Sequence, residues 1–493
     1  MDVLMKESDS SHGLKRTLGK YNLMALGVGA IIGAGIFVLT GQAAAQYAGP
    51  AVSLAFIVSA LACAFAGLCY AEFASMIPIA GSAYTYAYAT MGRGVAWIIG
   101  WALILEYLFA GSTVAVGWSG YVVSFLSKNL GMNIPPEYTA ATGSKLVQTA
   151  DGWEEYTVEL GRALEAKGIV ADTLPQVTAL INLPAVLIVF LVTMLLVRGI
   201  KESATFNNIV VAIKLTVILL FIAFGWQYIN ADNWVPFIPE NTGSFGSFGV
   251  TGIFRASAVI FFAYIGFDAV STAAQEAINP QKDMPWGIMG SLIVCTIVYI
   301  LVSLVMTGIA DYNELNTAAP IAVAIDKAGE GLSWLSPYIK IGAIAGLTSV
   351  ILVMLMGQTR IFYSMANDGL FFKSFATIHE KFGTPITSTI ITGAVAMIAS
   401  GLLPIGVLGE LVSIGTLLAF ILVCVGILIL RYKSPELERP FKTPFFPYVP
   451  ILGIVCCTGV MLFLNPLTFL IALIWLLIGV GIYLVYGRIH AKY

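Results

Sequence analysis

The stretch Leu26 to Phe37, Leu-Gly-Val-Gly-Ala-Ile-Ile-Gly-Ala-Gly-Ile-Phe, constrains this chain more than any other. It lies in an apolar segment running from about Asn22 to Tyr47. That is long enough to cross a bilayer as a helix, which takes about 20 apolar residues. Yet Gly27, Gly29, Gly33 and Gly35 crowd its middle. Each glycine costs a helix roughly 1 kcal/mol relative to alanine, and a helix facing only lipid gains nothing in return. Inside hydrocarbon, non-helical backbone survives only where it is buried in protein or lines a wet cavity. Two readings follow. Gly33-Ala34-Gly35 interrupts a membrane helix and turns backbone N–H groups toward a ligand, or the Gly29–Gly33 spacing lets two helices touch.

The rest of the chain supports a membrane setting. Of 493 residues, 58% are hydrophobic and 11% charged, and the mean hydropathy is +0.89. A soluble domain carries about 25% charged residues, so this reads as a polytopic membrane protein embedded in a lipid bilayer. The net charge of −2 and the lack of a basic tract point to no nucleic-acid partner. Cys63, Cys69, Cys295, Cys424, Cys456 and Cys457 all fall in apolar segments. They read as small buried hydrophobes rather than a disulfide framework. No Cys/His cluster suggests a metal. No phosphate loop or catalytic triad suggests an enzyme or a cofactor. The polar start, Met1 to Lys20, lacks the apolar core of a signal peptide, so the first membrane segment is expected to act as the insertion signal.

Apolar segments long enough to span are centred near residues 35, 62, 110, 188, 214, 264, 296, 350, 393, 420, 455 and 477. The expected fold class is therefore all-α, with twelve transmembrane helices. The third segment (Gly94 to Leu126) and the eighth (Ser336 to Ala366) are long enough to imply strong tilt. An even number puts both termini on one side. With the N-terminus inside, 17 lysines and arginines fall on the cytoplasmic face and 6 outside, while Lys214 and Arg255 lie within or at the edge of segments. This bias predicts cytoplasmic termini in the plasma membrane. The longest outer loop, 127–177, is acidic, and Glu154, Glu155, Glu159 and Glu165 suggest a small helix there. Short helices are also expected at Ala318 to Ala328, with Pro320 near its start, and at Asp368 to Phe382.

The sixth segment contains Ile260-Phe261-Phe262-Ala263-Tyr264-Ile265-Gly266-Phe267-Asp268, again with a glycine at mid-membrane. Segments one and six are five apart, so they cross in opposite directions. Interrupted helices at matching positions of two halves are the pointer to an inverted repeat, with the site at the midplane between the breaks. This favours the interruption reading of Gly33-Ala34-Gly35. The expected organisation is a cytoplasmic segment 1–20, a first five-helix repeat 21–226, an inverted second repeat 227–432, and 433–493 holding two further helices and a short tail.

Ionisable groups within membrane segments are functional candidates. Lys214 sits at the centre of segment five, too far from either end to snorkel easily, and is a candidate proton carrier. Glu106 in segment three is a candidate counter-ion for Lys214, a second proton site, or a feature for cationic substrates. Asp268 follows the second break and can cap the helix beyond it. Glu72, near the inner end of segment two, reads as interfacial. Arg255, near the outer end of segment six, reads as snorkelling or as attracting anionic groups. His12, His379 and His490 lie near segment ends or in tails, so no membrane histidine relay is available.

These residues carry a resemblance. Gly27 to Phe37 resembles the first-helix signature of the amino acid–polyamine–organocation (APC) transporters. Several stretches are similar to the cationic amino acid transporter branch and its bacterial relatives: Tyr70-Ala71-Glu72-Phe73 with Ala80-Gly81-Ser82-Ala83-Tyr84, Gly100 to Tyr107, Gly266-Phe267-Asp268 with Asn279-Pro280-Gln281-Lys282, Arg360 to Leu370, and Ser413 to Leu417. The resemblance spans about residues 15 to 440. The animal members carry two further helices, so the bacterial branch fits better. It implies a five-plus-five inverted repeat with helices one and six broken. It also implies a substrate carboxylate on backbone N–H groups of Ala34 and Gly35, beside Gly33. The substrate ammonium would then meet carbonyls near Ile31 and at Phe262, Ala263 and Ile265. Lys214 matches the lysine of the proton-coupled members. Ala34 departs from the Ser or Thr of many relatives, which removes a hydroxyl contact to the carboxylate.

The expected activity is import of L-amino acids by proton symport with alternating access. An exchanger or facilitator, selectivity for cationic amino acids, and a non-transporting amino acid receptor are the alternatives. A channel is disfavoured because no ring of charges lines any segment. Met354 in segment eight is a candidate for setting side-chain size, since a thioether adapts to space beside a ligand; core packing is the alternative. Small neutral amino acids are the expected substrates. A single-helix membrane partner remains open.

Overall fold

The computed structural model describes residues 18–76, 83–149, 152–166, 168–199, 204–272, 274, 277–380 and 383–490. Most of them are helical. The principal helices are α1 (Lys20–Ile31), α2 (Val52–Met76), α3 (Ala83–Met91), α4 (Arg93–Leu130), α5 (Val158–Ala166), α6 (Leu183–Arg198), α7 (Ala204–Gly225), α8 (Gly249–Ile260), α9 (Pro280–Ile309), α10 (Pro320–Lys327), α11 (Ser336–Asn367), α12 (Ile386–Leu402), α13 (Ile405–Lys433), α14 (Tyr448–Met461) and α15 (Pro466–Ile482). Runs of Leu, Ile, Val and Phe leave no partner for the backbone except itself, and a helix satisfies every N–H and C=O internally. Each expected segment centre, from 35 to 477, falls within a helical turn. Among the described residues, seven helical stretches are long and apolar enough to cross a membrane. Four shorter apolar helices, Leu183–Arg198, Gly249–Tyr264, Ile386–Leu402 and Tyr448–Met461, accompany them.

The two long helices, α4 and α11, pack against each other. α4 also packs on α13, and α9 lies against both α1 and α2. Starts and stops are local chemistry. Asn182 caps α6, its Oδ1 accepting from the Ala185 N–H at 3.2 Å and from Ser119 Oγ at 2.6 Å. Gly49 ends the first interrupted segment at φ +58, pressed onto the ring of Pro239.

Two expectations need correction. The chain is not wholly α-helical. Lys145–Thr149 pairs antiparallel with both Gly152–Glu155 and Gln176–Thr178, giving a three-stranded sheet within the long loop. The helix expected in that loop is present as α5, which holds Glu159 and Glu165, but Glu154 and Glu155 lie in the strand Gly152–Glu155. The loop itself runs between Leu130 and Leu183, longer than the 127–177 read from the sequence. The region Asp368 to Phe382 contributes only a 3-10 turn, Lys373–Ala376, among its described residues. The helix expected over 318–328 is present as α10, with Pro320 in its first turn. The segment 1–17 and the motif residues Ala80-Gly81-Ser82 lie outside the described residues.

Candidate substrate and coupling site

α1 stops at Ile31, and Ile32 turns extended at φ −73, ψ 100. Helical structure resumes in π turns at Gly35–Leu39 and Ala44–Ala48, around Thr40–Ala43. The first turn of a helix carries N–H groups without partners in its own backbone, so the run beginning at Gly35 presents donors at this gap. The second interruption mirrors it. α8 stops at Ile260, tightens into a 3-10 turn over Phe261–Tyr264, and Ile265 is extended. Gly266 at φ +115 then redirects the chain.

The two interruptions touch. A Cβ on Gly35 would lie 2.3 Å from Cα and Cβ of Ala263, and one on Gly266 would lie 2.9 Å from the carbonyl of Ala30. Neither position has room for a side chain. Ile31, Ala34, Phe262, Ala263 and Ile265 are all buried around this contact. A Cβ on Gly33 would lie 3.5 Å from the side chain of Val350 on α11. Met354, one turn further along α11, is buried against Gly111 of α4.

A residue that the sequence reading missed joins the two gaps. The Tyr299 Oη on α9 lies 2.9 Å from the Ile31 carbonyl and 2.8 Å from the Ala263 carbonyl. One hydroxyl proton serves two acceptors, so one carbonyl is open to another donor at any moment. The available signal was a single phenol tip inside the apolar run Thr296 to Val302.

Lys214 on α7 is fully buried. Its Nζ donates to the carbonyl of Gly29 and, at 2.9 Å, to that of Ile32. Both acceptors sit at the end of α1, where the interruption frees carbonyls from the helix ladder. Gly346 of α11 makes space for the lysine stem, since a Cβ there would lie 3.2 Å from Lys214 Cδ. Lys214 thus ties α1, α7 and α11 at one point. Among the described residues no ion pair joins it to Glu106, which is buried beside Thr416. Ser349 Oγ donates to the Gly346 carbonyl at 2.9 Å.

Glu106 instead neighbours Asp268. The Asp268 carboxylate accepts from Tyr107 Oη of α4 at 2.9 Å. This bond crosses from α4 to the second interruption. Phe267 meets Tyr70 of α2 edge-on, ring centres 5.7 Å apart. Gly415 of α13 explains its own motif: a Cβ there would lie 3.1 Å from the Ala102 carbonyl of α4.

Two assignments made from sequence are overturned. Glu72 is not interfacial. It is completely buried, takes a two-pronged bond from Arg431 (Nε 2.9 Å, Nη2 2.6 Å), and accepts the Thr443 N–H at 2.8 Å. Arg255 neither snorkels nor waits for an anion, because it is buried in an ion pair with Glu410. Both partners lie far along the chain, so neither pairing has a local sequence signature.

A bundle of apolar helices, two of its segments interrupted and abutting, is that of a multi-pass membrane protein. Residues 18–486 match the amino acid permease family. The chain belongs to that family, within the APC superfamily. It is 45% identical over 490 residues to the branched-chain amino acid permease BcaP of Bacillus subtilis, covering 99% of this chain and 97% of that one. It is 42% identical to the methylthioribose transporter of the same organism, over 100% of this chain and 97% of that one. It is 36% identical to the vacuolar cationic amino acid transporter 4 of Arabidopsis thaliana, over 88% of this chain and 66% of that one. These relatives are permeases and transporters, not enzymes, and the chain is an amino acid transporter.

Proposed function

We propose that this protein imports L-amino acids across the plasma membrane by proton symport. It would cycle by alternating access through twelve spans arranged as a five-plus-five inverted repeat, with both termini cytoplasmic. The observation that carries the reading is the Lys214 ammonium seated on the carbonyls of Gly29 and Ile32. An ammonium there does what a bound coupling cation would do: it neutralises the carbonyl end of α1 and holds α1 against α7. When the proton leaves, two charge-assisted bonds weaken, and α1 is free to swing from its break.

The substrate carboxylate binds the N–H groups at Ala34 and Gly35. Its ammonium takes the carbonyl that Tyr299 leaves open, that of Ile31 or Ala263, with Phe262 and Ile265 lining the same gap. Small or branched neutral side chains fit an apolar surround that includes Met354 and Val350, and the full-length similarity to BcaP favours that class. One observation favours a second reading. Glu106 and Asp268 are two buried carboxylates near the second interruption, and they suit a cationic side chain.

The test is uptake of labelled amino acids into proteoliposomes under an imposed pH gradient without sodium. Methylthioribose, amino acid amides and decarboxylated amines serve as competitors. Neutral L-amino acids should accumulate, faster as the outside is acidified, while amides and amines compete poorly. Counterflow without gradient-driven accumulation would indicate an exchanger or facilitator. Binding without counterflow would indicate a receptor. A strict sodium requirement would exclude proton coupling.

A further inference from the structure

Arg255 lies midway along α8, and its guanidinium gathers four elements. It pairs with Glu410 near the start of α13 and donates to the Phe463 carbonyl in the turn between α14 and α15. It also lies over the Tyr47 ring, 5.3 Å from its centre. Glu410 bonds back to the same place, accepting from the Asn465 N–H of the turn at 3.2 Å and from the Thr468 hydroxyl in the first turn of α15. Both charges are over nine-tenths buried.

The helical run 35–48 and α8 are themselves joined. The Tyr47 carbonyl accepts the Phe248 N–H at 2.9 Å, and a Cβ on Gly252 would lie 2.1 Å from that oxygen. At their other ends the two meet at Gly35 and Ala263. They therefore form one body, flanked by interruptions at Ile32–Gly33 and at Ile265–Gly266. This body is covered. Gly41 presses on Pro320 and the Leu315 carbonyl, and Tyr121 Oη donates to the Phe37 carbonyl at 2.8 Å. The covering contacts are van der Waals packing and neutral hydrogen bonds. The Arg255–Glu410 pair is a buried charge pair between the body and α13, beside the apolar contact of Phe261 with Phe420.

We propose that Arg255 and Glu410 form a lock on the outer side, holding this paired body against α13 and the 462–468 turn. The site opens outward only when the lock parts. Arg255 and Glu410 are positioning residues that contact no substrate. The lock rests on the transport reading and its orientation.

The test uses the full chain in liposomes with native cysteines replaced by alanine and a reporter, Val38→Cys, in the covered run. Val38 is fully buried. The readout is the rate of labelling by a membrane-impermeant maleimide. Glu410→Gln keeps shape but leaves Arg255 without its countercharge, and labelling should quicken about tenfold as the open state gains population. Arg255→Lys keeps the charge but loses the fork, and should fall between. Labelling within about twofold of the unmodified pair in both variants would overturn the lock. Should Glu410→Gln fail to fold, Arg255→Lys decides alone: faster labelling supports the lock, and an unchanged rate removes it. Labelling needs no transport, so failure of amino acid uptake by the parent protein would count against the transport reading and not against the lock.

Discussion

Lys214 and Arg255 are both cations buried between helices, one set against the first interruption and the other within the segment that holds the second. Their partners differ in kind. Lys214 faces main-chain carbonyls, which carry only partial charge. Arg255 faces a carboxylate, itself held by a backbone N–H and a hydroxyl. A lysine can give up its proton, whereas an arginine keeps its charge in proteins. Carbonyls still accept a weaker bond when their ammonium becomes an amine, but a buried carboxylate stripped of its cation is left uncompensated. The first pairing tolerates a change of charge, and the second does not. Glu72 with Arg431 follows the second pattern, with its two-pronged bond at a fully buried carboxylate.

The largest effect tests the first half of that contrast. Lys214→Ala should retain amino acid binding but lose pH-gradient-driven accumulation in proteoliposomes. Lys214→Arg sharpens the test by placing a permanent charge on the same carbonyls. It should bind substrate, and its residual exchange should show no dependence on outside pH, whereas the parent speeds up as the outside is acidified. Undiminished gradient-driven uptake by either variant would erase the distinction from Arg255.

The second half of the contrast is tested by Glu72→Gln, which removes the countercharge of Arg431. Loss of one member of a buried pair costs about 3–5 kcal/mol, so the melting temperature in detergent should fall clearly while KM stays near that of the parent. A changed KM with unaltered melting would place Glu72 in the transport machinery instead.

Tyr299→Phe should have a smaller effect. It removes one hydroxyl shared by two carbonyls, worth about 0.5–1.5 kcal/mol. KM for the amino acid should change by up to about tenfold, with the acid stimulation attributed to Lys214 intact. Loss of that stimulation would tie Tyr299 to the proton rather than to the substrate. The smallest effect is expected of Met354→Ser, which should shift preference toward longer side chains at similar maximal rate. An identical substrate profile would make Met354 plain packing.

What the sequence by itself determined are features whose cost in a membrane is the same wherever the chain folds. Gly33 and Gly35, and Gly266 after a long apolar run, mark helix interruptions because a lipid-bound helix does not tolerate them without compensation, whereas Gly27 and Gly29 lie inside α1 and pack against Ser291 and Val211. Lys214 stood out because a charge in an apolar run is costly on its own terms. The helices follow from length and hydropathy. What only the tertiary structure decided are partners. Arg255 meets Glu410 across 155 residues, and Glu72 meets Arg431 across 359. Tyr299 bridges two interruptions from a third helix. A polar side chain read alone looks interfacial, functional or merely buried, and its role is set by the atom facing it. The sheet at residues 145–178 escaped for a related reason. Its strands are short, and its pairing joins residues about thirty apart, while the acidic composition beside it pointed toward the helix α5.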